Sequence, residues 1–195
     1  MYLSLRTAIV TLVATSAVSA QLAPGELVLV GQGNPLSVPV VNSFRPGAGV
    51  TSYSVNGLST RITSACYDPL GGGLFVAAGG NVFTLSFSGT NANATLLCAT
   101  PGHSENWTLF LGHNGLPVAT RPSGRVYECS ALGAVDLFPA PPWTTLQAAS
   151  YDPVTGRYYA IATDSGGAAI FVIDPATTSF SRIPSPIAAS SVQDL

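Results

Sequence analysis

The segment Tyr151 to Ile183 restates an earlier segment of the same chain, and this repetition limits the folds open to it. Tyr151-Asp152-Pro153 is followed by Gly156, the aromatic pair Tyr158 and Tyr159, a turn at Gly166-Gly167 and a β-rich run from Ile170 to Ile173. Tyr67-Asp68-Pro69 is followed in the same order by Gly71 to Gly73, the run Leu74-Phe75-Val76, a turn at Gly79-Gly80 and the run Val82 to Phe87. The two tripeptides stand 84 residues apart (151 − 67). A more divergent copy lies between them: Leu116 to Thr120, a turn at Pro122 to Gly124, then Val126 to Ser130.

Halving the spacing gives a period of about 42 residues, inside the ~40–50 of a four-stranded propeller blade. The chemistry within one period agrees. Asp-Pro followed by Gly builds a tight turn, because Pro presets φ and Gly accepts φ > 0. Helical periodicity is absent beyond the N-terminus. The text from Glu26 reads as strands at Leu27–Val30, Ser37–Phe44 and Val50–Val55, with Pro39 placing the second at an edge or bulge. A complete blade then runs from Arg61 to Ala99, with strands Arg61–Tyr67, Leu74–Ala78, Val82–Phe87 and Thr95–Cys98. The next covers Thr108 to Phe138, the last Thr145 to Ile183. Trp143, after Pro139, Pro141 and Pro142, falls in a connection and is expected to anchor two blades. Ser190 to Leu195 lies where a new inner strand is due, so the chain stops mid-blade. The expected fold is all-β: four-stranded antiparallel blades of a β-propeller, three and a half to four of them, in an incomplete ring over residues 21–195. Closed propellers use about four to eight blades.

Residues 1–20 read as a secretory signal peptide: Arg6, an apolar core from Ala8 to Ala14, and small residues at Val18-Ser19-Ala20 before Gln21. The apolar run is shorter than the ~20 residues of a membrane span. A secreted chain, extracellular or periplasmic, with no membrane span after cleavage, is therefore expected. Charged residues are 8%, with seven Arg, no Lys and a net charge of −2. That excludes a nucleic-acid binder, which needs clustered cations for phosphate. Cys66, Cys98 and Cys129 remain after cleavage. Secretion permits disulfides, but an odd number leaves one thiol over, and no spacing matches a zinc or redox motif. One disulfide and three buried thiols both stay open.

The repeats resemble those of secreted bacterial-type β-propellers of the YVTN/NHL-like class. The residues that carry the resemblance are Tyr67-Asp68-Pro69, Tyr151-Asp152-Pro153, the strand entry Gly156 to Ala162, and Ile170 to Pro175 followed by Ala176-Thr177-Thr178. It covers most of residues 26–195. The middle blade departs from it, with His113-Asn114-Gly115 where Tyr-Asp-Pro is due. The resemblance implies a scaffold and transfers no catalytic residue.

Candidate functional residues follow from strand order. In a four-stranded blade the turn between strands one and two lies on one face, and that between strands two and three on the other. Asp164-Ser165-Gly166-Gly167 is similar to a serine-protease nucleophile segment, but His113 sits on the opposite face from Ser165 and a triad needs its base at the nucleophile. A hairpin turn is the better reading. The same geometry separates His103 from His113 and argues against a two-histidine metal site. Asp68, Asp152 and Asp174 precede prolines and read as turn formers, not Ca²⁺ ligands. His103, Glu105, Arg121, Arg125 and Asp164 share one face and form the candidate ligand surface. Asn93 and Asn106 open N-glycosylation acceptor patterns in a eukaryotic host. No metal or cofactor is expected. The function expected is that of a binding or structural scaffold module for a protein or carbohydrate ligand, with self-association through open blade edges. The alternative is a hydrolase or lyase working in the central funnel.

Overall fold

The computed structural model describes residues 9–12, 27–32, 39–101 and 107–184. They form sixteen β-strands and no helix. The first group of four is β1 (Ile9–Leu12), β2 (Leu27–Gln32), β3 (Pro39–Arg45) and β4 (Gly49–Asn56); the second is β5 (Ile62–Tyr67), β6 (Leu74–Ala78), β7 (Asn81–Ser88) and β8 (Asn91–Ala99). The third is β9 (Thr108–Leu111), β10 (Pro117–Thr120), β11 (Val126–Ser130) and β12 (Gly133–Asp136); the fourth is β13 (Thr145–Asp152), β14 (Arg157–Asp164), β15 (Gly167–Asp174) and β16 (Ser179–Pro184). Each group is an antiparallel meander. The described residues thus form four four-stranded blades of an incomplete propeller.

The repeated tripeptide folds identically in its two copies. Asp68 Oδ1 accepts the Leu70 N–H and Asp152 Oδ1 accepts the Val154 N–H, both at 2.9 Å. The carbonyls of the same two aspartates accept the Gly72 and Gly156 N–H, both at 2.8 Å. Those two glycines adopt φ of +70° and +69°, which a side chain would oppose. Asp174 closes its turn in the same way, accepting the Ala176 N–H at 2.9 Å.

Alternation along the strands sends successive side chains to opposite seams. In β6, Val76 and Ala78 face the first blade while Ala77 faces the third. In β10, Ala119 faces the second blade and Val118 the fourth. Each seam thereby receives its own apolar cluster. The first joins Val28, Val30 and Val41 to Ile62, Leu74, Val76 and Leu85. The second joins Cys66, Ala77, Val82 and Cys98 to Leu109, Ala119, Tyr127 and Cys129. The third joins Val118, Val126 and Phe138 to Leu146, Tyr158, Phe171 and Ile173. Trp143 sits in this third seam, as its place between blades suggests. Its ring lies 5.3 Å from Phe171 and 5.7 Å from Phe180 by centroid, and its indole N–H donates to the Gly124 carbonyl at 2.8 Å.

Three features depart from the sequence reading. Pro39 begins β3, which is paired on both sides, so its missing N–H falls at the end of a ladder instead of on an edge strand. The innermost strand of the first blade, β1, falls within the stretch read as a leader and pairs with Leu27–Val30. Removal of residues 1–20 would leave β2 as the inner edge of that blade. Finally, β4 and β8, the outer strands of the first two blades, pair in parallel from Ser54↔Asn91 to Asn56↔Asn93. The Asn56 amide donates to Asn93 Oδ1 at 3.1 Å across that pairing. The two blades are therefore one continuous eight-stranded sheet folded over its own core.

Candidate functional site

The ligand face expected from the sequence is built by the turns between second and third strands. Arg121 and Arg125 bracket the turn joining β10 to β11. The Arg121 N–H donates to the Arg125 carbonyl at 3.0 Å, and the Gly124 N–H to the Arg121 carbonyl at 2.8 Å. Asp164 opens the corresponding turn of the fourth blade, where it pairs with Gly167 across a two-residue loop. His103, Glu105 and Asn106 lie outside the described residues.

Each of the three described side chains is tied to a neighbour in this chain. Asp164 takes both oxygens to Arg182, with Oδ2 accepting from Nε at 2.7 Å and Oδ1 from Nη2 at 3.1 Å. The guanidinium reaches it by passing over Gly166, where a Cβ would stand 2.9 Å from Arg182 Nη2. Asp164 Oδ1 also accepts the Gly166 N–H at 2.8 Å. The Arg182 hydrogen bonds hold the Asp164 carboxyl below its usual range. This loop, which contains Ser165, is a braced hairpin. Arg125 donates to Asp136 Oδ2 at 2.8 Å and to the Pro139 carbonyl at 3.0 Å. Arg121 donates to the Pro101 carbonyl at 3.0 Å, and its Cζ sits 5.1 Å from the Trp107 ring centroid. Among the described residues of this face, Asp164 and Arg125 are matched by opposite charges and Arg121 is held by a carbonyl and a ring.

A second cluster lies on the opposite face, where His113-Asn114-Gly115 replaces the Tyr-Asp-Pro turn. Tyr158 is buried, at 1% exposure, and directs its hydroxyl out of the third seam to this turn. The hydroxyl accepts the His113 backbone N–H at 3.1 Å and lies 2.7 Å from His113 Nδ1. Burial pushes the Tyr158 phenol up to about 12, so it stays protonated and serves as a polar anchor, not a base. Gly112 makes this approach possible: a Cβ there would stand 3.0 Å from the Tyr158 oxygen and 2.6 Å from Val118 Cγ2. Tyr151 lies beside them, its ring centroid 6.2 Å from that of His113. Asn114 donates to Glu128 Oε2 at 2.9 Å. Exposed His113 and Asn114, with half-buried Tyr151 and Glu128, make a small aromatic and polar platform fixed from below by Tyr158. Sequence reasoning placed His113 on this face but missed its partners. The only available signal was that Tyr158 occupies the position equivalent to an aliphatic one, Leu74, in the earlier copy.

Asn93 lies within β8, half-buried, with its side-chain oxygen engaged by Asn56. Among the described residues no three His, Cys, Asp or Glu side chains gather as a metal group. No helix among them is long and apolar enough to cross a membrane.

No family model matches the sequence, and no curated protein matches it. Solved structures do match in shape. A chain of a nidogen/laminin complex superposes with a TM-score of 0.60 at 14% identity, over 83% of this chain and 62% of that one. A putative 6-phosphogluconolactonase from Bacteroides uniformis gives 0.53 at 12% identity, over 86% and 55%. The Dos1 propeller gives 0.53 at 13% identity, over 82% and 42%. These likenesses establish the propeller fold. The chain spans between 42% and 62% of the length of these three structures.

Proposed function

We propose that this chain is part of a secreted propeller of the YVTN/NHL-like class that works as a binding or structural scaffold module. The observation that supports the reading is the internal pairing of the loop charges. Asp164 with Arg182 and Arg125 with Asp136 turn one face into a rigid surface, and Tyr158 fixes the platform on the other. Such pre-organisation lowers the ordering cost of binding. On the platform, the Tyr151 and His113 rings beside the Asn114 amide and the Glu128 carboxylate suit the apolar faces and hydroxyls of a sugar, or a polar patch on a protein. The nidogen/laminin likeness is compatible with such a role. The likeness to a putative lactonase keeps the funnel hydrolase or lyase as the competing reading.

The test is a binding screen of the full chain on a glycan array and a panel of extracellular matrix proteins. A hit weakened at least ~10-fold by Asn114→Ala or Glu128→Gln supports the platform, that factor matching loss of about one charge-assisted hydrogen bond. A parallel panel of ester and glycoside substrates addresses the alternative. Turnover abolished by His103→Ala would overturn the binding-only reading. Self-association through blade edges belongs to the same proposal, because strands left unpaired at the ends of an incomplete ring offer free N–H and C=O groups.

A further inference from the structure

The seam between the second and third blades gathers all three cysteines of the chain in one apolar cluster. They come from different depths of that seam. Cys66 is on β5, the inner strand of the second blade. Cys98 is on β8, the outer strand of the same blade. Cys129 is on β11, the third strand of the next blade. Within the second blade the strand order is β8-β7-β6-β5. Three ladder steps of ~4.8 Å put β5 and β8 roughly 14 Å apart. That exceeds the ~7 Å Cα separation a disulfide can span, so Cys66 and Cys98 cannot join. Across the seam the pairing of depths is different. Inner strand β5 packs on inner strand β9, whereas β8 packs on β11 and β12. Cys98 and Cys129 both face this part of the seam, on strands that pack on each other and within one apolar cluster.

We infer that Cys98 and Cys129 are a disulfide pair that staples the second blade to the third, and that Cys66 is the thiol left over. In the docked seam the Cys129 thiol donates to the Tyr127 carbonyl at 3.9 Å, and burial raises the pKa of Cys66. Before docking either thiol of the pair can ionise and open the exchange, Cys98 for instance. The Cys98 thiolate attacks one sulfur of an oxidised small-molecule disulfide, expels a thiolate that takes up the proton Cys98 released, and leaves a mixed disulfide on Cys98. The Cys129 sulfur, giving up its proton, then attacks Cys98 Sγ. The interblade S–S bond forms and the second small thiolate leaves with that proton. Two protein thiols are oxidised and one reagent disulfide is reduced to two thiols. Cys98 and Cys129 are 4% and 0% exposed in the closed seam, so the exchange belongs to folding, before the blades dock.

The experiment is oxidative refolding of the full chain in a glutathione redox buffer, then alkylation in denaturant and chymotryptic peptide mapping. Chymotrypsin is needed because it cuts at Phe75 and Phe83, between Cys66 and Cys98, where the sequence offers trypsin no site. The expected result is a cross-linked peptide joining Cys98 to Cys129, with Cys66 alkylated. The same link should form in Cys66→Ser and be lost on Cys98→Ser. Reduction should lower Tm by ~5–10 °C, as for a loop of about 30 residues in a domain of this size. Three alkylated cysteines, a link that includes Cys66, or covalent dimers would each overturn the assignment. The map is read on the unaltered chain, so a variant that fails to fold does not blunt it.

Discussion

Trp143 offers the sharpest test of how the blades hold together. It is one of only two tryptophans, 5% exposed, and it serves both sides of the third seam. From the third blade it receives the Phe138 ring at 6.3 Å and the Gly124 carbonyl at 2.8 Å; from the fourth it receives Phe171 and Phe180. Trp143→Ala removes the indole from a site walled by aromatic rings that cannot collapse fully, so a loss of ~3–5 kcal/mol is expected. Trp143→Phe keeps an aromatic contact but leaves the Gly124 carbonyl without its donor. About 1–3 kcal/mol is expected there, from one lost hydrogen bond and a smaller void. For a domain of this size each kcal/mol lowers Tm by roughly 2–4 °C, so the alanine variant should melt on the order of 10 °C earlier. Urea unfolding of the two variants, followed by fluorescence of the remaining Trp107, measures both values. A Trp143→Ala cost below ~1 kcal/mol, or equal costs for Phe and Ala, would refute the claim that this ring bridges two blades.

Three further outcomes follow from the same geometry. Tyr158→Phe should cost ~1–2 kcal/mol, because the ring packing stays while the His113 backbone N–H and ring lose their partner; no change in the urea midpoint would refute the anchor. The Asp164 carboxyl has its pKa depressed by Arg182, so its contribution to stability is present above the ordinary carboxylate range and is lost as pH falls through the depressed folded value. The Tm gap between the natural chain and Asp164→Asn should therefore close on acidification, and a gap independent of pH would contradict the pairing. Residues 21–195 expressed alone should form oligomers or aggregates by light scattering, since an incomplete ring leaves blade faces and edges uncovered; a monodisperse, cooperatively unfolding monomer would contradict this.

Much of the fold was legible because a blade is a local object. Turn chemistry at Asp68-Pro69 and Asp152-Pro153, with the alternation of the strands between, set the limits of the last three blades to within a few residues. What escaped was cross-chain. The β4–β8 pairing joins the equivalent outer strands of two successive blades, a contact the repeat does not itself require, and its parallel sense follows from two meanders meeting at their outer edges. The sequence likewise places Asp164 and Arg182 on one blade, yet their salt bridge depends on the register of β14, β15 and β16 and on a bare Gly166 beneath the guanidinium. The His113 platform rests on a tyrosine 45 positions later in the chain. Of the ligand face expected from the sequence, Arg121, Arg125 and Asp164 do lie in the anticipated turns, already bound to neighbours.

The seam between β4 and β8 also bears on the curvature of the assembly. Sheets packed face to face lie ~10 Å apart, whereas hydrogen-bonded strands lie ~4.8 Å apart. The first two blades are therefore held together at their outer rim, whereas segments arranged around an axis ordinarily fan out there. At the other two junctions among the described residues the outer strands are not joined, which leaves those blades room to diverge at the rim. There the angle between neighbouring blades rests on what fills the seam: the thiols of Cys98 and Cys129 in one case, Trp143 in the other.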